Sequence, residues 1–316
     1  MRYRFVMQDG SVRVVVSGGT GVIGRAAVRS LLTAGHDVDV LSRSAANTEL
    51  IQQLGARPRA ADLFDTASLE AAYAGADVVV NLASHVPVGY AAAWPGAWRH
   101  NDALRAQAVG HVVLAARAAG VRRVVQHSVS FLYADNGDGW IREQDPIEIT
   151  RATEPSAVGE SHALGFGTSS HVGVVLRFGA IVGDDPMTRF QLKAAANKRP
   201  VGLGRPDQWS HLVHTDDLGP AIVAALHAPG GVYNVGAEPV LRGELVAGFA
   251  KAAGVATAAF MGPVLRRLAG PRVEPLTRSL RVSSDHFSAQ TGWRPLRPTF
   301  DPAWFDAAQL PAAAAR

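Results

Sequence analysis

The chain has 316 residues, of which 47% are hydrophobic and 18% charged, the proportions of a globular protein long enough to bury about three quarters of its unfolded surface. It contains no cysteine, which excludes disulfides, thiolate metal sites and a cysteine nucleophile. No apolar run approaches the ~18 residues of a membrane helix. The first residues, with Arg2, Arg4, Gln8 and Asp9, lack the apolar core of a signal peptide, so a cytoplasmic protein with no membrane partner is expected. The net charge of +4 comes from 31 Lys and Arg residues scattered without a dense run, a pattern of a solvated surface and not of a nucleic-acid partner.

The first element is the stretch Val12-Arg-Val-Val-Val-Ser-Gly-Gly-Thr-Gly-Val-Ile-Gly24. A β-branched run from Val12 to Val16 leads into Gly18, Gly21 and Gly24, and then into Arg25-Ala-Ala-Val-Arg-Ser-Leu-Leu, which has helical apolar spacing. Strand, tight turn and helix form the context in which a glycine triplet binds a dinucleotide. Gly18 turns the chain, Gly21 admits a pyrophosphate close to the backbone, and Gly24 lets the helix pack on its strand. The unpaired amides and positive dipole end of that helix face the phosphates.

A second strand, His36 to Leu41, ends at Ser42-Arg43-Ser44 and completes a βαβ unit with a right-handed crossover. An acid at this strand end accepts from the 2′-hydroxyl of NAD; here Ser42 takes that place with Arg43 beside it. A guanidinium pairs with a 2′-phosphate that a carboxylate would repel. Arg25 is placed to reach the same phosphate, so NADP(H) is expected over NAD(H). The alternation continues with a helix over 48–54, a short strand over 57–61 ending at Asp62-Leu63, a helix over 67–74 and the strand Asp77 to Ala83. Continuous apolar strands between helices predict the α/β class, with a doubly wound parallel sheet covered on both faces. Ligands of such sheets sit at the carboxyl ends of the strands, where Asp62, Asn81, Leu82, Ala83 and Ser84 fall.

A helix over 98–119 precedes the strand Arg122 to Ser128 and the segment from Val129 to Tyr133, and a helix over 156–169 precedes the strand Val172 to Arg177. From Gly183 to His211 the chain is broken by Pro186, Pro200 and Pro206, with one helical piece over 188–197. His214-Thr-Asp-Asp217 caps a helix over 216–227, and Val232 to Gly236 reads as a late strand. Residues 1–183, completed by 212–236, are assigned to a dinucleotide-binding domain. Residues 184–211 and 237–310 are assigned to a smaller substrate lobe, and 311–316 to a frayed tail.

Taken together, several pieces resemble the extended short-chain dehydrogenase/reductase superfamily, of the NAD-dependent epimerase/dehydratase type. They are Gly18-Gly-Thr-Gly-Val-Ile-Gly24, Asp62-Leu63, Asn81-Leu-Ala83, Ser128 to Tyr133, Val175-Leu-Arg177, His214-Thr-Asp-Asp217, Tyr233-Asn-Val-Gly236 and Gly292-Trp-Arg-Pro295. They follow the family order over nearly the whole chain. The resemblance implies a Rossmann domain of about seven parallel strands binding NAD(P), with a small-molecule substrate between it and a C-terminal lobe. It implies that Thr20, Val22 and Ile23 join the glycines at the cofactor, that Asp62 and Leu63 flank the adenine, and that Asn81, Leu82 and Ala83 line the diphosphate and nicotinamide ribose. Ser128, His162 and Phe178 are likewise expected at the cofactor. By analogy, a homodimer through a helix such as 98–119 is expected.

The resemblance breaks at the catalytic motif. The superfamily's usual chemistry uses a Tyr hydroxyl as general acid/base, with a Lys four residues on that lowers the Tyr pKa and holds the nicotinamide ribose. None of the five tyrosines, Tyr3, Tyr73, Tyr90, Tyr133 and Tyr233, has a Lys four residues later. Alignment of Val158-Gly-Glu-Ser-His162 with the family segment puts Val158 at the Tyr position and His162 at the Lys position, while the usual Ser/Thr falls on Val129. Ser128, Tyr133 and His162 become the candidate catalytic groups. His85, His211, Trp94, Trp98 and Trp209 are further candidates for the pocket, and Glu160 lies on another side of the helix from His162. No metal-ligand spacing and no nucleophile elbow occur. The expected activity is NADPH-dependent reduction of a carbonyl on a small metabolite with a non-standard proton donor. A non-redox isomerase, epimerase, dehydratase or cyclase, and a non-catalytic dinucleotide-binding protein, stay open, because a fold does not fix a function.

Overall fold

Seven strands form one all-parallel sheet: β1 (Arg13–Ser17), β2 (Asp37–Ser42), β3 (Arg57–Ala60), β4 (Val78–Asn81), β5 (Arg123–Val129), β6 (Val172–Phe178) and β7 (Gly231–Val235). Their spatial order is β7-β6-β5-β4-β1-β2-β3, and the order reverses at β1, which pairs with β2 on one side and β4 on the other. The computed structural model describes residues 10–94, 96–263, 267 and 270–308; the tail expected to fray, 311–316, lies outside them.

Alternation along β1 explains why both faces are covered. Val14 and Val16 point into a core beneath α1 (Val22–Thr33) and α7 (Thr215–Ala225). Val15 points to the opposite core, beneath α3 (Thr66–Tyr73) and α4 (Arg99–Ala118). α5 (Glu154–Gly165) packs along α4 on that second face. The remaining helices are α2 (Ala45–Gln53), α6 (Pro186–Ala196), α8 (Arg242–Ala252) and α9 (Asp285–Thr291).

A third core joins Val182 and Leu192 to Phe249, Trp304 and Phe305, so the segment around α6 and the chain after β7 pack on each other although they are distant in sequence. A two-residue strand, Trp140–Ile141, pairs with Arg281–Val282 and ties the excursion after β5 to this later part; the sequence reading did not foresee it. The helix expected over 156–169 begins earlier and stops at Gly165. Beyond it, the Thr168 hydroxyl accepts from the amides of Ser170 and His171 and closes a turn instead. Among the described residues no helix is long and apolar enough to cross a membrane.

Candidate functional site

The crevice at the carboxyl ends of the strands is built around the turn from β1 to α1. Gly18 has a φ of +73°, and a Cβ on it would stand 2.7 Å from both the Ala83 amide nitrogen and the Leu82 carbonyl carbon. A Cβ on Gly24 would collide with the Gly18 carbonyl oxygen and lie 2.5 Å from the Gly19 Cα. Only glycine lets the turn, the first helical turn and the end of β4 come this close. α1 is capped by exposed Gly21 with no side-chain hydrogen bond, whereas α2 and α3 carry capping side chains, Ser44 and Asp65. The first amides of α1 are therefore left for a ligand, and the loop, with half-buried Thr20 and Val22, fits a diphosphate. Ile23 turns into the core.

On the β2–β3 side of that loop lie the residues expected around the adenosine. Ser42 is buried, its hydroxyl donating to the Ser44 carbonyl at 3.0 Å and bonded to the Thr48 hydroxyl at 3.0 Å, so the end of β2 presents no carboxylate. Arg43 is exposed, with Nη1 3.9 Å from Asp62 Oδ1. Asp62 also accepts from the Phe64 amide at 3.1 Å, and Leu63 is buried against α3. Arg25, half-buried on α1, has no polar partner among the described residues.

On the β4–β5 side, Asn81 is fully buried and donates to Gln126 Oε1 at 2.8 Å. Its own oxygen accepts from the Ala83 amide at 3.4 Å, and the Leu82 amide donates to the Ser17 carbonyl at 3.0 Å. Asn81, Leu82 and Ala83 thus shape the crevice floor through the backbone, and the Asn81 amide group is occupied in joining strand ends. Phe178, expected at the cofactor, is 1% exposed and packs inside the core beneath α1.

The expected catalytic groups are placed differently from the sequence reading. Ser128, 1% exposed, donates to Glu160 Oε1 at 2.6 Å. Arg177 completes a bidentate pair with the same carboxylate, Nε to Oε1 at 2.9 Å and Nη2 to Oε2 at 2.6 Å. Its guanidinium carbon lies 4.8 Å from the centre of the Tyr133 ring, and the buried Tyr133 hydroxyl donates to Asn234 Oδ1 at 2.8 Å. Burial raises the Tyr133 phenol, with Arg177 opposing it. Burial would lower Arg177, but pairing with Glu160 outweighs it and holds the guanidinium above its ordinary value. Ser128 and Tyr133 therefore belong to a buried polar network in which each hydroxyl already has an acceptor.

His162 lies elsewhere on α5 from the Glu160 network. It is exposed on α5 with its ring against α4, where a Cβ on Gly110 would lie 3.5 Å from Cε1 and Nε2. Val158 is exposed as well. The residues of α5 that turn inward are Ser156, Gly159, Glu160 and Ala163. A step of two residues along a helix rotates a side chain by about 200°, so with Glu160 facing the sheet, Val158 and His162 face away. His162→Ala is accordingly expected to leave cofactor affinity and turnover within about twofold of the parent, read by titration and steady-state rates; a loss of tenfold or more would return His162 to the site.

The inward faces of α4 and α5 meet β5 in a group that sequence reasoning missed. Arg105 of α4 is buried and donates through Nη1 to the Ser156 hydroxyl at 3.1 Å, while its Nη2 lies 3.1 Å from His127 Nε2. Burial lowers Arg105 to about 10, with Asp102 opposing. Burial, and after it Arg105, push the His127 imidazole well below its usual range, so His127 is neutral and accepts through Nε2. Its Nδ1 is buried without a partner.

Of the other candidates, His211 is buried with neither ring nitrogen bonded and is lowered by burial to about 3, whereas His85 is exposed, edge-on to His100. Trp94 is 73% exposed, Trp98 lies under Arg272, and Trp209 stacks on Arg281 while its Nε1 donates to Asp138. No group of His, Asp and Glu that could hold a metal ion occurs among the described residues.

Comparison with known proteins agrees with this architecture. Residues 14–236 match the NAD dependent epimerase/dehydratase family. A Streptomyces protein named 3-diazoavenalumate denitrifying reductase is 30% identical, the alignment covering 92% of this chain and 98% of that protein. The human epimerase family protein SDR39U1, solved with NADPH, superimposes with a TM-score of 0.78 at 22% identity over 94% of this chain and 99% of that one. The Bordetella bronchiseptica enzyme WbmG, solved with NAD, does so with a TM-score of 0.73 at 20% identity over 96% and 97%. The two solved structures speak to the fold; the family match and the Streptomyces relative, joined to a glycine turn shaped for a diphosphate, make the chain a member of the NAD-dependent epimerase/dehydratase family of extended short-chain dehydrogenase/reductases.

Proposed function

We propose that the protein is an NADPH-dependent reductase whose hydride acceptor needs no acid from the protein. The observation that carries this reading is where the expected donors lie: the hydroxyls of Ser128 and Tyr133 each donate within a buried network, and exposed His162 lies on the side of α5 opposite Glu160. When bound, the cofactor supplies hydride. A carbonyl acceptor becomes an alkoxide and takes its proton from solvent. A diazonium group differs: hydride on its terminal nitrogen cancels the positive charge, and loss of dinitrogen leaves a C–H bond, so atoms and charge balance without a donor. The name of the Streptomyces relative describes a reductase acting on a diazo compound, which supports the second kind of acceptor here. The exposed Val86, Val88, Tyr90 and Trp94, on the loop leaving the carboxyl end of β4, suit an apolar, aromatic-bearing substrate.

The preference for the phosphorylated cofactor rests on the end of β2, where Ser42 stands in place of an acid and Arg43 is free apart from a long contact to Asp62. Titration followed by nicotinamide fluorescence is expected to show NADPH bound at least tenfold more tightly than NADH, and Arg43→Ala to remove most of that difference; equal weakening of both would end the 2′-phosphate role. NADPH oxidation is then compared for an aryldiazonium acid and a matched ketone. Consumption with the diazonium compound alone supports the reading. Tight cofactor binding without net consumption for either would favour a non-redox reaction on the same fold.

A further inference from the structure

We propose that Arg105, delivered from α4, is the cation that binds the nicotinamide half of the cofactor, in place of a lysine on α5. The inference rests on the dinucleotide reading above and extends it to a residue outside the recognised motifs. Two observations carry it: what Arg105 lacks, and where it lies.

Arg105 is a buried guanidinium with five N–H donors and only two neutral partners, Ser156 and His127. Asp102, one turn earlier on α4, is bonded to Arg272 instead. Other buried arginines show the contrast. Arg177 has the Glu160 carboxylate, although its Nη1 is buried without a partner, and Arg278 has Glu274. Arg242 pairs with no carboxylate but is satisfied by Ser210, Gln208 and the carbonyls of Trp209, Thr277 and Arg278. A buried cation whose nearby carboxylate, Asp102, is bonded elsewhere and which lacks a full set of acceptors is costly unless a ligand completes it.

Its position says which ligand. Arg43 and Asp62 lie beyond β2 and β3, on one side of the glycine turn. The Arg105 group lies on the other side: His127 follows Gln126, which bonds Asn81 at the end of β4, and Asn101, one turn before Arg105, accepts from the His85 amide just past that end. A dinucleotide laid across the turn with its adenosine toward Arg43 has its nicotinamide riboside on the β4–β5 side. Ser156 faces inward on α5, the helix on which the resemblance puts its lysine at position 162, and Arg105 Nη1 ends on its hydroxyl. His127, neutral and accepting, fixes the other arm of the fork. The remaining donors are left for ribose oxygens or the carboxamide.

The test separates the two halves of the ligand. Dissociation constants for NADPH and for 2′,5′-ADP, which lacks the whole nicotinamide mononucleotide half, are measured by calorimetry on the full chain, without any substrate. The parent is expected to bind NADPH at least tenfold more tightly than 2′,5′-ADP. Arg105→Met is expected to erase that gap while leaving 2′,5′-ADP within twofold, and Arg105→Lys, which keeps the charge but not the fork, to retain part of it. A merely structural role would weaken both ligands together or neither, and either pattern overturns the proposal, as does a parent that shows no gap. If Arg105→Met does not fold, Arg105→Lys decides: an unnarrowed gap overturns it. If the parent binds neither ligand, the dinucleotide reading fails first and this inference falls with it.

Discussion

Gly24→Ala is expected to abolish measurable NADPH binding, a loss of at least a hundredfold, and to lower stability by about 1–3 kcal/mol through overpacking. The added methyl has nowhere to go. It meets the Gly18 carbonyl and the Gly19 Cα, which are backbone atoms and cannot swing aside like the end of a side chain. Relief requires α1 to lift from the turn, and the amides aimed at the diphosphate move with it. Gly21→Ala is the informative companion, because a Cβ there lies 3.4 Å from the Gly18 oxygen and otherwise faces open space. That variant should unfold at the parental urea concentration and still bind NADPH far more weakly, since the methyl stands where the phosphates approach. Urea titration and fluorescence titration of both variants check the pair. Parental affinity in Gly24→Ala would mean that the turn does not hold the cofactor.

The second large effect concerns the network beneath the crevice. Glu160→Ala leaves the Arg177 guanidinium buried with no anion and takes the acceptor from Ser128. Removing one partner of a buried ion pair costs about 3–5 kcal/mol, a large share of the roughly 5–15 kcal/mol that holds a typical domain together. The urea midpoint should fall steeply with little change in slope, and expression at 37 °C should suffer. Glu160→Gln keeps the shape and one acceptor and should cost less. A loss below about 1 kcal/mol for Glu160→Ala would show that Arg177 finds its counter-charge elsewhere.

The fold was legible because its signals are periodic and local. Valine runs bounded by helical spacing place β1, β2, β4 and β5 to within a residue or two of their observed ends, and the glycine triplet locates the crevice. The positions of Ser42, Arg43 and Asp62 were legible for the same reason, since they stand at or just past strand ends that the alternation itself defines. The surroundings of the candidate catalytic groups were not. The four-residue spacing from Val158 to His162 fits a helix in any register, and only the packing of α5 on the sheet shows that this register points outward. Ser128 and Tyr133 look available in a linear chain because the groups that occupy them, Glu160 and Asn234, come from other elements. Arg105 carries no sequence signal at all, because its partners His127 and Ser156 are 22 and 51 residues away.

The pairing of β1 has a consequence for how the chain is made. Val14 and Val16 lie in an interior strand of the sheet, but their partners on one side, Val78 and Val80, are synthesised long after them. At about 5–20 residues per second on the ribosome, a bare valine edge waits several seconds for β4, and the sheet waits longer still for β7. Parallel, non-local pairing of this kind folds slowly and exposes sticky edges while it does so. Slower growth at reduced temperature, or chaperone co-expression, should therefore raise the soluble yield more than any change of buffer after lysis.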